Sequence, residues 1–421
     1  MLDIKRLREN PELIQQEVSA KKVDADITAI LKLDDKRKEI LSQVERLKAE
    51  RNSASKKIGI LKKSGEDASE AIGKVSAIKG EIETLDQSLK ENAIALENAL
   101  LYLPNIPHET VPNGSSEEDN LEIRKFGEPT QHNFTAVDHK TLGENLGLFD
   151  FERGAKISGS GFPVYTGLGA KLERALIQFF IDCLEEDGFE EVIPPHLVNA
   201  KALLATGQLP KFADQLYTCP EDKLYLIPTA EVPITNIHAD EVLTEAQLPI
   251  KYCGYTPCFR REAGSWGRDV RGFLRLHQFN KVEMVQFVHP ETSYQTLENM
   301  VGYAENILKK LGLHYRVISL CKGDLGFGAA KCYDIEVWSP VEEKWLECSS
   351  VSNFEDFQAR RGKIRAKIQG KNTFVHTLNG SGLATPRVLV ALLDNFQNED
   401  GSWSIPEVLQ PYLKNKTTIS K

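Results

Sequence analysis

Residues 258–283 have the sequence CFRREAGSWGRDVRGFLRLHQFNKVE, which predicts a strand, a glycine-bearing loop and a second strand. Successive side chains of a strand point to opposite faces, so one face of the second strand gathers charged groups around a phenyl ring. That face carries Arg275, His277, Phe279, Lys281 and Glu283. Arg260 and Glu262 share a face of the first strand. If the strands pair with these faces together, they form one charged platform.

Such a platform suits nucleotidyl transfer. Arginine can hold a phosphate and an attacking carboxylate together and neutralise the charge that develops at phosphorus. A phenyl ring offers a stacking surface for a base. The alternative is a purely structural sheet face that is charged because it faces water, although such a face seldom includes a lone Phe among so many ions.

A second segment, Thr377–Arg387, has the sequence TLNGSGLATPR and predicts a strand, a glycine-rich turn and the start of an apolar helix. A helix N-terminus beside Arg387 is a natural binding site for a polyphosphate. Taken alone, such a turn usually marks only a helix cap, and Pro386 suits the first helical turn. The segment gains meaning only together with the platform.

The N-terminal region contains two heptad patterns. Apolar or long side chains recur in steps of three and four from Leu33 to Leu61 and again from Ile72 to Leu103. We predict an antiparallel coiled-coil hairpin over about residues 27–103. Basic side chains that could meet phosphates lie on its first helix and near its tip: Lys48, Arg51, Lys56, Lys57, Lys62 and Lys63. Lysines on a solvated flank of the coiled coil are the alternative interpretation.

Beyond a turn-rich linker, which follows Leu103, strands alternate with helices, and this predicts an α+β body with an antiparallel sheet. The predicted domains are residues 1–110 and 111–421. The predicted elements of the body are helices Lys171–Leu184 and Val388–Asn395 and strands Glu190–Ile193, Lys251–Glu262 and Leu274–Val288.

Composition excludes some classes of function. The net charge of −9 argues against a protein whose whole surface grips nucleic acid, although a local basic patch is compatible with it. Seven scattered cysteines without a CxxC pair indicate neither a disulfide framework nor a zinc site. The first residues lack the apolar core of a signal peptide, and no apolar run is long enough to cross a bilayer. We therefore expect a cytoplasmic protein without a membrane partner.

These segments resemble the class II aminoacyl-tRNA synthetases. Phe259–Glu262 with Leu274–Phe279 is similar to motif 2 of that class, and Gly382–Arg387 is similar to motif 3. The helix before residues 188–195 is similar to motif 1, in which a proline, here Pro195, lies at the dimer interface. The three motifs would span about residues 169–195, 252–288 and 373–397.

Within that class, the chain resembles the seryl-tRNA synthetases over essentially its whole length. The resemblance lies in Thr229–Glu231, His277–Glu283, Glu347–Ser350, Thr377–Ser381 and the N-terminal hairpin. It implies a ligase that activates L-serine with ATP and transfers it to tRNA(Ser), with tRNA(Sec) as a second substrate. It also implies a homodimer in which the arm of one subunit reaches tRNA bound at the other's active site.

The resemblance assigns residues as follows. Arg260 and Arg387 are the catalytic pair, and Mg²⁺, with no zinc, is held by Glu347 and Ser350. The implied ATP site comprises Arg260, Arg261, Glu262, Arg275, Phe279, Glu347, Cys348, Ser349, Ser350 and Arg387. The implied serine site comprises Thr229, Ala230, Glu231, Arg260, Glu283, Asn379 and Ser381.

Three other functions remain open at this point. The first is a synthetase-like binding protein that keeps the fold without catalysis, which serine-dependent pyrophosphate exchange would separate from an enzyme. The second is an enzyme of the same fold that loads an amino acid onto a carrier protein, although such relatives lack the long hairpin. The third, a coiled-coil scaffold, leaves the charged platform unexplained.

Overall fold

The computed structural model describes residues 1–263 and 272–421. Most of the predicted glycine-bearing loop, residues 264–271, lies outside the described residues. The chain divides into two compact units, Met1–Pro104 and Asn105–Lys421. None of the helices in the described part of the chain has both the length and the apolar character needed to cross a bilayer.

Helices and strands are numbered here in chain order. The helices are α1 Ile4–Glu9, α2 Pro11–Ala20, α3 Ile27–Ser64, α4 Ser69–Leu101, α5 His139–Asn145, α6 Phe151–Ser158, α7 Gly167–Glu186, α8 Ala200–Thr206, α9 Glu231–Thr235, α10 Ser293–Lys310, α11 Phe357–Gly362 and α12 Thr385–Asn395. The strands are β1 Leu121–Phe126, β2 Phe149–Asp150, β3 Val164–Tyr165, β4 Glu190–Glu191, β5 Leu197–Asn199, β6 Thr218–Cys219, β7 Leu224–Leu226, β8 Val242–Thr244, β9 Ile250–Phe259, β10 Gln278–Val288, β11 Tyr315–Ser319, β12 Lys331–Ser339, β13 Lys344–Asn353, β14 Arg365–Ile368, β15 Lys371–Phe374, β16 His376–Ala384, β17 Trp403–Ser404 and β18 Thr418–Ile419.

The first unit contains the predicted hairpin, formed by α3 and α4. Its seam buries apolar side chains of both helices: Ile40, Val44, Leu47, Ile78, Ile82, Leu96 and Leu100. Ile72, which we expected in the seam, is 46% exposed. Counting back from Val75 in heptad steps places Ala71 in the seam and its neighbour Ile72 outside it. The α3 helix ends at Gly65, whose φ of +76° is the left-handed conformation that favours glycine.

The second unit is built on a sheet with strand order β1-β11-β12-β13-β16-β10-β9-β4. Its neighbouring strands pair antiparallel, except β4 with β9, which are parallel. Helices α7, α10 and α12 pack against this sheet, and their apolar side chains share one core with Met284 and Leu383. The predicted α+β class with an antiparallel sheet and an N-terminal helical hairpin is therefore confirmed.

Residues 105–120 are not a free linker, contrary to our expectation. The side chain of Asn105 donates hydrogen bonds to the carbonyl oxygens of Gly328 and Phe354, at 3.0 and 2.8 Å. Val111 is buried in an apolar cluster with Ile318. A polar, turn-rich segment can still anchor through a few such residues, which have no periodicity to indicate burial.

Several predicted element boundaries were wrong. Strand β9 ends at Phe259 and does not reach the predicted Glu262, whose left-handed φ of +51° a strand cannot accommodate. Strand β10 begins at Gln278 and not at the predicted Leu274. The predicted strand Glu190–Ile193 contracts to β4, and Ile193 is 84% exposed. Helices α7 and α12 extend beyond the predicted ranges.

The predicted glycine-rich turn before Arg387 does not exist, since β16 continues through Gly380 and Gly382 to Ala384. A Cβ atom on Gly380 would lie 2.8 Å from Val351 Cγ2, and one on Gly382 would lie 2.8 Å from Leu184 Cδ1. These glycines allow close packing of the neighbouring strand and helix.

Gly169 is needed for close packing of α7. A Cβ atom there would lie 1.9 Å from the carbonyl oxygen of Leu148, which is backbone and cannot move aside cheaply. We expect Gly169→Ala to lower the free energy of unfolding by about 3 kcal/mol. Gly302→Ala in α10 is the matched control, because no atom lies within 4 Å of its added Cβ. It should stabilise the chain by up to about 1 kcal/mol. Urea unfolding followed by circular dichroism compares the two, and equal stabilities would contradict this account.

Candidate active site

A cavity of about 730 Å³ lies over strands β10, β13 and β16. It brings together most of the predicted site residues: Thr229, Glu231, Arg260, Glu262, Arg275, Phe279, Glu283, Glu347, Cys348, Ser350, Asn379, Ser381 and Arg387. Ala230, Arg261 and Ser349 are not among the residues that line it. The sheet therefore brings together side chains that are far apart in the sequence, as the predicted charged platform requires.

One end of the cavity combines arginine, an aromatic ring and a carboxylate. The guanidinium carbon of Arg260 lies 5.1 Å from the centre of the Phe279 ring, and its Nε donates to the carbonyl oxygen of Pro228 at 3.2 Å. Arg275 Nε lies 3.0 Å from Glu262 Oε2. A cation held against an aromatic ring, beside a second arginine, is a suitable surface for a nucleotide.

Arg387 reaches the same cavity from the first turn of α12. Its Nη1 donates to the backbone oxygen of Glu347 at 2.9 Å and lies 3.6 Å from the Glu347 carboxylate. The start of α12 is anchored by Thr385 Oγ1, which donates to the buried Glu173 at 2.5 Å. Asn280 of β10 also donates to Glu173, at 2.8 Å. This network sets the position of the helix that carries Arg387.

The other end of the cavity is buried and acidic. Thr229 Oγ1 lies 3.0 Å from Glu283 Oε2 and 2.9 Å from Lys281 Nζ, and Lys281 also forms an ion pair with Glu283. Glu231 starts α9, and its backbone nitrogen donates to Thr229 Oγ1 at 3.2 Å. Since Lys281 offsets only one of the two carboxylates, an ionised Glu231 leaves this pocket negative and suited to an ammonium group.

The carboxyl group of Glu231 has a pKa close to neutrality. Burial raises the pKa of its carboxyl group to about 7, with a further contribution from the negative charge of Glu283. A carboxylate with such a pKa in a cavity is a common mark of a functional site.

The proposed metal ligands also face the cavity. Glu347 provides a half-exposed carboxylate and Ser350 a hydroxyl, which lies 3.1 Å from Cys332 Sγ. Among the residues that the structure describes, no group of three or more His, Cys, Asp or Glu side chains is arranged to hold a metal ion. Cys348 packs inward: its thiol donates to the carbonyl oxygen of Ile335 at 3.3 Å, and burial raises its pKa.

Other predicted residues turn away from the cavity. His277 does not line it, contrary to our prediction, because its ring stacks on Phe162 at a centroid distance of 5.3 Å. Arg261 Nη1 donates to the backbone oxygen of Asp214 at 3.3 Å. Ser349 Oγ donates to the backbone oxygen of Ser381 at 2.7 Å, so Ser349 supports the site through the backbone of β16.

Two polar residues of the site were missed as binding residues. Lys281 was predicted on the charged face, and its alternation with Phe279 and Glu283 was the available signal. Gln358, which contacts Glu231, lies on another helix, and nothing in its local sequence indicates this contact.

Comparisons with known proteins show which family the chain belongs to. The model of the class II tRNA synthetase core domain (G, H, P, S and T) matches residues 217–396, and that of the seryl-tRNA synthetase N-terminal domain matches residues 1–107. The serine--tRNA ligase of Thermodesulfovibrio yellowstonii is 51% identical over 98% of this chain and 99% of its own length. The chain belongs to the seryl-tRNA synthetase family.

Solved structures of this family have the same fold. The seryl-tRNA synthetase of Pyrococcus horikoshii, crystallised with ATP, has a TM-score of 0.94 and 39% identity, with 100% of this chain and 99% of that chain covered. The cytoplasmic serine-tRNA ligase of Naegleria fowleri, in complex with AMP, has a TM-score of 0.89 and 28% identity over the same shares. The resemblance of the chain to the seryl-tRNA synthetases is thereby confirmed.

Proposed function

We propose that this chain is an ATP-dependent serine--tRNA ligase that forms seryl-adenylate and transfers the seryl group to tRNA(Ser). The observation that carries the proposal is one cavity in which Arg260 and Phe279 lie at one end and the acidic Thr229–Glu231 segment at the other. A nucleotide and a small amino acid can bind there side by side. Membership of the seryl-tRNA synthetase family supports the same activity.

The reaction needs no protein nucleophile. The serine carboxylate attacks the α-phosphorus of ATP, a new phosphorus–oxygen bond forms, and pyrophosphate leaves with the bonding electron pair. A hydroxyl group at the 3′ end of the tRNA then attacks the activated carbonyl carbon, and AMP leaves. Catalysis therefore consists of positioning and charge neutralisation.

Each end of the cavity has a role in this proposal. Arg260 bridges the serine carboxylate and the α-phosphate, Phe279 stacks on adenine, and Glu262 accepts a hydrogen bond from the adenine amino group. Arg275 and Arg387 hold the polyphosphate. Thr229, Glu231, Glu283, Asn379 and Ser381 form the serine pocket. Alanine should be rejected because it would leave the buried partners of the hydroxyl group without hydrogen bonds.

Mg²⁺ fits the oxygen donors of Glu347 and Ser350. A carboxylate and a hydroxyl are ligands of the kind that this hard cation prefers, and it commonly shares its remaining positions with phosphate oxygens and water. When bound, the ion would neutralise charge on the polyphosphate. Arg387, which lies near Glu347, would contribute a second positive charge to the same phosphates.

The tRNA part of the proposal depends on the hairpin. We infer that Lys48, Arg51, Lys56, Lys57, Lys62 and Lys63 contact tRNA phosphates, since the lysines among them are exposed. Recognition of tRNA(Sec), a homodimer and a cytoplasmic location are further parts of the proposal, and membership of the family supports them. Charging of tRNA(Sec) transcripts tests the first of these properties, and sedimentation analysis tests the homodimer.

The direct test is pyrophosphate exchange with ATP in the presence of serine, threonine or alanine, followed by charging of purified tRNA(Ser). We expect exchange that depends on serine and charging of tRNA(Ser) with serine. Folded protein that supports no serine-dependent exchange would favour the non-catalytic synthetase-like binding protein instead.

The KM for serine should depend on pH through Glu231. Because the pKa of its carboxyl group is about 7, Glu231 is mostly protonated at pH 6 and mostly ionised at pH 8. Ionisation supplies the charge that binds an ammonium group, so the KM for serine should fall about tenfold from pH 6 to pH 8. In Glu231→Gln the KM should be higher and nearly independent of pH over this range. A flat profile in the wild type would contradict the role given to Glu231.

A further inference from the structure

Gln358 lies behind the serine pocket and contacts Glu231. Its Nε2 donates to Glu231 Oε1 at 2.7 Å, and both side chains are buried, with exposures of 1% and 8%. Gln358 is in α11 and does not line the cavity, whereas Glu231 does. The glutamine therefore holds the carboxylate from the side opposite a substrate.

The orientation of the Gln358 amide is determined by its other partners. Thr377 Oγ1 donates to Gln358 Oε1 at 2.7 Å, and the Thr206 carbonyl oxygen lies 3.5 Å from Gln358 Nε2. If the amide were reversed, its oxygen would face both the Glu231 carboxylate and this carbonyl group. The hydroxyl group of Thr377 and the carbonyl group of Thr206 thus keep the amide nitrogen of Gln358 directed at Glu231.

A neutral donor suits this position better than a cation. A lysine or arginine here would cancel the charge of Glu231, as Lys281 does for Glu283, and the pocket would lose its attraction for an ammonium group. A glutamine supplies a hydrogen bond to the carboxylate and leaves its negative charge available to the substrate.

We propose that Gln358, oriented by Thr377, is a positioning residue for serine recognition that holds Glu231 in its binding geometry. This proposal rests on the proposed function, since it assigns a role within the serine pocket. Thr377 belongs to β16, the strand that also carries Asn379 and Ser381 into the cavity. The Thr377–Gln358–Glu231 chain therefore couples α9 to the strand that forms another wall of the pocket.

Gln358→Met tests the proposal, because methionine has a similar length and cannot donate a hydrogen bond. Loss of a hydrogen bond to a charged group corresponds to a rise in the KM for serine of roughly tenfold or more. The KM for ATP should stay within about twofold of the wild-type value, since the nucleotide end of the cavity is unchanged. Thr377→Val, which removes only the orienting hydroxyl, should raise the KM for serine by a smaller factor.

Gln286→Met is the matched control. Gln286 is also 1% exposed and lies in β10, but its Nε2 has no hydrogen-bond partner among the described residues. We expect it to leave both KM values unchanged. All variants are compared by serine-dependent pyrophosphate exchange and by thermal unfolding.

The outcomes separate the two proposals. A selective rise in the KM for serine in both Gln358→Met and Thr377→Val supports the positioning role. Unchanged values, or a parallel loss of serine affinity, ATP affinity and thermal stability, would overturn it. If Gln358→Met does not fold, Thr377→Val decides alone, and an unchanged KM for serine then overturns the role. Absence of serine-dependent exchange in the wild type would instead refute the proposed function.

Discussion

Arg260→Ala is expected to abolish serine-dependent pyrophosphate exchange while the protein stays folded. In the proposed reaction, Arg260 is the residue that contacts both the attacking carboxylate and the α-phosphate. Its removal leaves the charge that develops at phosphorus without its nearest cation. Losing one preorganised donor to such a charge typically costs a factor of about 10² to 10³, and loss of a full positive charge should cost at least as much. The rate of exchange at saturating serine and ATP measures this directly.

Folding should tolerate the substitution. The Arg260 side chain donates a hydrogen bond to Pro228 and lies against Phe279, which is only partly buried at the edge of the apolar core, so its removal leaves the core packing in place. Arg174→Ala, an exposed position on α7, is the control for loss of an arginine elsewhere and should retain full exchange. Near-normal exchange in Arg260→Ala would show that the cavity has been assigned to the wrong chemistry.

Shortening the hairpin should separate the two half-reactions. Leu47 and Ile82 pack in one apolar cluster, so replacing residues 48–81 by a short Gly-Ser turn joins two points that are already close. The change removes Lys48, Arg51, Lys56, Lys57, Lys62 and Lys63. We expect pyrophosphate exchange to be retained, because every residue that lines the cavity belongs to the second unit.

Charging of tRNA(Ser) should fall by roughly a hundredfold or more in kcat/KM, because several phosphate contacts are lost together. A full-length variant with glutamine at the same six positions separates charge from length. It should show a similar loss and a weaker dependence of the KM for tRNA on salt concentration. Equal loss of exchange and charging in the shortened chain would show that the hairpin serves the catalytic unit and not tRNA.

Both predictions begin from patterns that are local in the sequence. The heptad steps on α3 and α4 predicted the hairpin, and the alternation of Phe279, Lys281 and Glu283 predicted one functional face of β10. Periodicity of this kind depends only on the geometry of a single helix or strand, so it can be read without knowing the neighbours. Ile72 was assigned to the seam wrongly because the heptad register was set one residue too late at that position, although the heptad pattern itself holds for α4.

The local sequence did not determine where an element ends or which way a side chain points. His277 was placed on the functional face by alternation, but it lies before β10, where Phe162 determines its orientation. Gly380 and Gly382 resemble a turn, yet they lie in a strand, where glycine is needed because Val351 and Leu184 leave no room for a Cβ atom. Glycine is compatible with both roles, and only the neighbouring element decides between them.

The amino-acid sequence by itself determined the two heptad helices, the α+β class and the residue types of the nucleotide end, because these depend on spacing within one segment. Only the tertiary structure decided that Lys281 meets Thr229 and that Gln358 holds Glu231. Glu231 and Gln358 are separated by 127 positions, and their contact depends on the packing of α9 against β10 and of α11 against β16. No local pattern encodes such a contact, because the packing of distant elements brings the two residues together.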